Sequence, residues 1–188
     1  MKNSHKKYEM LGQPFEWVQY ANELLDSSEL LYKEKNNSIL TKVDKSGKII
    51  VKKSGISRTY FLLIGFAIEN IMKAHIISMN PNYIKNGKIE RSISSNHNLF
   101  ELSKRIENFE FKQTEINLLK TLTEGIPYWT RYPIPKRFEN ITEEKILNGT
   151  IRKTFLGLFE KMEINVYKQV NRFEDLWHDT EIEKKIKE

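Results

Sequence analysis

The chain carries four histidines, and two of them follow an arginine by six positions: Arg91…His97 and Arg172…His178. Histidine moves protons near neutral pH and arginine holds phosphate charge, so either pair has the residue types for metal-free phosphodiester chemistry. Arg91 is expected in a loop and His97 at a helix start. There the helix dipole would lower the imidazole pKa and favour the neutral form that a general base needs. The competing reading is a histidine that packs and hydrogen-bonds where the helix begins. Arg172 and His178 are expected on the final long helix. Six residues turn a helix by about 240°, so these side chains share a face only if the helix bends, ends or meets a second copy there. Otherwise they are an exposed Arg and His beside Trp177. His75 falls on an apolar helix and reads as a core histidine, and His5 lies near the chain end. A second constellation interleaves Arg131, Lys136 and Arg137 with Tyr128, Trp129, Tyr132 and Phe138. Cations there can hold phosphates while rings stack on unpaired bases. Alternatively the rings plug one end of the core and the cations reach out to water, the reading that the flanking prolines favour.

Much other chemistry is excluded. The 188 residues contain no cysteine, which removes disulfides, thiol nucleophiles and thiolate metal sites. Glycine-rich phosphate loops and the H-E-x-x-H and G-x-S-x-G motifs are absent, and no cofactor is expected. The net charge is +6, from 24 Lys and 7 Arg against 25 acids. Such an excess fits an anionic partner, but 22 Ile and 16 Asn share AT-rich codons with lysine, and acids alternate with lysines along most of the chain. Matches to Asn-x-Ser/Thr at Asn36, Asn140 and Asn148 read as chance without a secretion signal. The longest apolar run, Tyr60 to Ile68, stops at Glu69, and the basic start has no apolar stretch behind it. A soluble, cytoplasmic protein with no membrane partner is the expectation.

The elements that must position these residues follow from periodicity. Pro14 opens a helix to about Lys35, with Phe15, Val18, Ala21, Leu25 and Tyr32 on one stripe. Residues 38–56 read as a hairpin-like insertion turning at Asp44-Lys45-Ser46-Gly47. A helix from about Arg58 to Met79 is apolar almost all round, as a central helix must be. On it, Glu69 and Lys73 form an i,i+4 pair that either braces the bundle or lines a polar cleft. Residues 81–94 read as a loop. A helix capped by Ser95 or Asn96 runs to about Glu107, and another starts at Thr114-Glu115 and ends near Pro127. Residues 128–137 are expected to be largely extended because of their prolines. A helical turn opens at Thr142, and a last helix spans about 150–178. Residues 1–12 and 180–188 are expected to fray. The fold class is therefore all-α: a single domain, an antiparallel bundle of about five main helices with one small insertion.

Gly65-Phe66-Ala67-Ile68-Glu69-Asn70-Ile71-Met72-Lys73-Ala74 and His97-Asn98-Leu99-Phe100-Glu101-Leu102 together resemble the HEPN superfamily. Its members often combine an A-x-E-x-x-x-K-A helix with an H-[DSN]-L-x-x-L helix start. Trp129-Thr130-Arg131-Tyr132-Pro133-Ile134-Pro135 is similar to a W-x-x-R-Y-P-x-P stretch of some HEPN-like bacterial proteins. The likeness covers roughly residues 58–137. It implies a helical bundle that dimerises. Many such domains are metal-independent ribonucleases of toxin–antitoxin, abortive-infection and CRISPR systems; others are inactive and bind RNA or protein. Active members carry R-x(4–6)-H, with the histidine in acid–base chemistry and the arginine on phosphate, duplicated across the dimer cleft. The resemblance thus implies a homodimer with Arg172 and His178, or Arg91 and His97, in catalysis. It equally implies a non-catalytic module that binds RNA or a protein partner, and the basic-aromatic residues Trp129, Arg131, Tyr132, Lys136 and Arg137 are the candidate RNA contacts. Because neither R-x5-H match has a convincing geometry from sequence, the non-catalytic module is the first expectation and the endoribonuclease the alternative.

Overall fold

Helix α3 (Ser57–Met79) is buried on nearly every side, and the other elements are arranged around it. The computed structural model describes residues 2–132, 134–135 and 137–172. They form α1 (Lys2–Leu11), α2 (Pro14–Lys33), β1 (Ile39–Val43), β2 (Ile49–Ser54), α3, β3 (Ile84–Lys85), β4 (Lys88–Ile89), α4 (Arg91–Ser94), α5 (Leu99–Ser103), α6 (Gln113–Gly125) and α7 (Gly149–Arg172). The architecture is mainly α-helical, and the expectation of helices with one insertion is corrected by two antiparallel hairpins, β1–β2 and β3–β4.

Specific contacts set the directions of the helices. Asn22 donates to Glu163 at 2.7 Å, and Arg152 Nε donates to Glu29 at 3.0 Å, so α2 and α7 run antiparallel. Tyr32 near the end of α2 meets Tyr60 near the start of α3, with ring centroids 5.7 Å apart. On the opposite flank, Phe61 packs edge-on against Trp129 at 5.0 Å. A Cβ added at Gly65 would stand 2.8 Å from the Ile126 side chain, so glycine lets α6 approach α3 closely. Leu119, Leu122, Phe155, Leu158 and Met162 complete the core on α6 and α7. By length and composition α3 could cross a membrane, but 78% of its most apolar window is buried inside the protein.

Several boundaries differ from expectation, each for a tertiary reason. The N-terminus is helical rather than frayed: the Glu9 carboxylate accepts from the Asn86 amide at 2.9 Å, and the Trp17 indole donates to the Gly12 carbonyl. The expected loop at 81–94 contains a hairpin that turns at Asn86-Gly87, both with positive φ, the backbone that a two-residue turn of this type requires. The helix expected from Ser95 or Asn96 to Glu107 shrinks to α5, whose cap is Asn98, accepting from the Glu101 amide. Residues 128–132 are coiled in turns, not extended. The Tyr128 and Thr130 amides both donate to the Gly125 carbonyl, because burial of Trp129 folds the chain back. No helical turn forms at Thr142. Glu144 instead reaches Lys53 and Arg58, which tie this irregular segment to the base of the β1–β2 hairpin and the start of α3. Burial alone would raise the Glu144 carboxyl, but the hydrogen bonds from Arg58 and Lys53 outweigh it and hold it below the ordinary glutamate value. The last helix is described only to Arg172, so its expected end at His178 and the tail at 180–188 lie outside the described residues.

His75 is fully buried on α3, and among the described residues neither ring nitrogen has a hydrogen-bond partner. Burial pushes its pKa down to about 4 from 6.5. The unfolded chain therefore takes up the proton first as pH falls, and stability present above pH 6.5 is lost toward pH 4. Linkage gives a loss of about 2 kcal/mol between pH 7 and pH 5. Urea denaturation at the two pH values measures it, and His75→Leu is expected to flatten the slope in this window without a loss of stability at pH 7.

Candidate functional site

The two leading motifs of the sequence meet in space. Glu69 and Lys73 project from one face of α3, where their spacing stacks them on successive turns. Both are buried, at 6% and 3% exposure, and Lys73 Nζ donates to Glu69 Oε1 at 2.7 Å. His97, just before the cap of α5, brings Nδ1 to 2.9 Å from the same oxygen. Its side chain is 60% exposed. With Nδ1–H donating to the carboxylate, a neutral imidazole presents Nε2 as an acceptor. The orienting group is therefore a buried carboxylate on another helix, not the end of α5, which has only five residues. Glu69 Oε2 is buried with no hydrogen-bond partner among the described residues. The arrangement is a carboxylate that fixes an exposed imidazole and is itself neutralised from below by an ammonium group.

Arg91 opens α4 and is exposed, on a four-residue turn whose last amides donate to the carbonyls of Glu90 and Arg91. His97 is thus anchored from α3, and Arg91 is carried on a separate short element. Arg172 is the final residue of α7, and His178 lies outside the described residues.

A cleft of about 420 Å³ opens beside the C-terminal end of α6. Pro127, Tyr128, Arg131 and Tyr132 form one side of it, and Glu139, Asn140 and Thr142 approach from the following segment. The Arg131 guanidinium lies 5.7 Å from the Tyr132 ring centre. The Thr142 hydroxyl is buried without a partner among the described residues, beside the wall of the cleft. Two carboxylates, Glu124 and Glu139, share the lining with Arg131, so the cleft offers acceptors as well as a cation.

The basic-aromatic segment is divided by this geometry. Arg131 and Tyr132 face the cleft and are exposed. Trp129 does not join them: it is 2% exposed, held edge-on to Phe61 and against Gly125, so it cannot stack on a base. Arg137 is exposed at the start of a short 3-10 turn, and Lys136 lies outside the described residues. Sequence reasoning noticed Asn140 and Thr142 only as an Asn-x-Thr match and the start of a helical turn, and neither signal points to a cleft. Among the described residues, no group of three or more His, Asp or Glu could hold a metal ion.

The buried pair makes a direct prediction. Lys73→Met leaves the Glu69 charge buried with only a solvent-facing histidine beside it, and is expected to cost about 3–5 kcal/mol. Adding Glu69→Leu in the same chain should recover most of that loss, as read by chemical denaturation.

No protein-family model, curated protein or solved structure matches this chain.

Proposed function

We propose that this chain is a HEPN-like module that binds unpaired RNA rather than cutting it, with the cleft beside α6 as its binding surface. The observation that supports this reading is the cleft itself: two tyrosine rings and an exposed guanidinium line a space of about 420 Å³. Rings stack on a base of any identity, and the guanidinium meets the phosphate. Its cytoplasmic setting, and a place in a defence or toxin–antitoxin system, belong to the same proposal.

The test is fluorescence anisotropy with a short oligouridylate. Tyr132→Ala is expected to weaken binding by about 1–3 kcal/mol, and Arg131→Ala to weaken it and reduce its salt dependence. Both residues are exposed, so thermal stability should hardly change. Trp129→Ala, by contrast, should cost about 3–5 kcal/mol of folding stability. Binding that neither surface substitution alters would sink the proposal.

A second reading, a dimeric metal-independent endoribonuclease, is favoured by the Glu69–His97 hydrogen bond. A ribose 2′-hydroxyl would attack the adjacent phosphorus and the 5′-oxygen would leave, giving a 2′,3′-cyclic phosphate and a 5′-hydroxyl. His97 would move the proton, and Arg91 would hold phosphate charge. RNA cleavage in EDTA that is abolished by His97→Ala and strongly reduced by Glu69→Gln would select this reading. Equal cleavage by wild type and His97→Ala would remove it.

A further inference from the structure

The β1–β2 hairpin stands apart from the core. All of β1 and the first four residues of β2 are exposed, and among the described residues the two strands form a sheet with no third member. Its aliphatic side chains, Ile39, Leu40, Val43, Ile49, Ile50 and Val51, are between 38% and 64% exposed. An isolated two-stranded hairpin is marginal in water, and each free edge leaves a row of unpaired amides and carbonyls. The hairpin is also where the chain's positive charge collects. Residues 38–56 hold Lys42, Lys45, Lys48, Lys52 and Lys53 against the single acid Asp44, a net +4 of the whole chain's +6. Asp44 is spent on the turn, where it accepts from the amides of Ser46 and Lys48. Lys53 is bound to Glu144 at the hairpin base, which holds the arm to the body. Lys42, Lys45, Lys48 and Lys52 are exposed.

We propose that this arm is a docking strand for an acidic, extended segment of a partner protein, which adds a third strand along one edge of the hairpin. Three properties of the arm select that occupant together. Free edges call for a backbone, exposed aliphatics call for apolar side chains at alternate positions, and lysines call for carboxylates between them. A nucleic-acid backbone answers the lysines but leaves the aliphatics in water. A bilayer answers the aliphatics but cannot satisfy a free strand edge. A second copy of the arm brings the same +4 charge and is repelled. This inference is independent of the cleft and of the RNA reading.

The experiment uses the full chain and a fluorescein-labelled, end-blocked peptide that alternates Glu and Val. Saturable binding is expected, weakened about tenfold or more by Lys42→Glu/Lys52→Glu, two exposed changes that leave the Lys53–Glu144 bond in place. A peptide alternating Lys and Val should not bind. Hydrogen exchange should slow at amides of β1 or β2 when the Glu–Val peptide is present, which simple charge attraction would not cause. The proposal is overturned if the Glu–Val peptide does not bind or if the Lys–Val peptide binds equally. It is also overturned if oligouridylate displaces the Glu–Val peptide from the arm, or if the free protein self-associates through the arm in sedimentation.

Discussion

The structure depends on taking one helix almost wholly out of water. α3 carries Tyr60, Phe61, Ile64, Ile68, Ile71, Met72 and Ile77 at essentially zero exposure, so it can exist as seen only when α2, α5, α6 and α7 cover it. Apolar burial supplies the drive, roughly 1.5–3 kcal/mol for each large side chain taken fully from water. The constraint also sets what polar groups can do there. A charge buried on α3 needs a partner, and Glu69 and Lys73 supply one another's one turn apart. His75 has no hydrogen-bond partner among the described residues, and burial lowers its pKa. His97 touches Glu69 from outside and connects this buried polarity to the surface.

How much of this was legible depended on whether a signal was local. The stripes of α2, α3, α6 and α7 are set by periodicity within each helix, and so are the residues that form the core. The β1–β2 hairpin followed from two β-rich runs around a turn. Asn86-Gly87, flanked by Ile84-Lys85 and Lys88-Ile89, was an equally clear hairpin signal, and it was obscured by the polar composition of the loop around it. What local reasoning could not supply were the tertiary overrides. Trp129 folds residues 128–132 into turns although prolines surround them, and Glu144 ties down a segment that begins like a helix. At the site, the i,i+4 pair was readable, but the contact from His97 to Glu69 spans 28 residues and no spacing rule predicts it.

The two candidate surfaces on the body have different characters. The His97–Glu69–Lys73 cluster is rigid and built from below, because two of its three members are fixed in the core and only the imidazole meets solvent. The cleft beside α6 is built from turns, and its aromatic and cationic members sit on a backbone folded by one buried indole. Rigid support suits a group that must hold one orientation, and turn-borne rings suit a surface that accepts ligands of varied shape. The distribution of charge separates a third surface. The lysine excess, which looks diluted along the sequence, is largely gathered on the β1–β2 arm.

The clamp between Arg152 and Glu29 joins residues 123 positions apart, whereas the Tyr32–Tyr60 contact closes a far shorter loop across the hairpin. Closing a longer loop costs more chain entropy before any contact repays it. The unit of α2, the hairpin and α3 can therefore assemble while α7 is still free, and α7 docks onto a surface already formed. In a growing chain this order has a physical counterpart: the apolar face of α3 that α7 will cover stands open until α7 itself has been made.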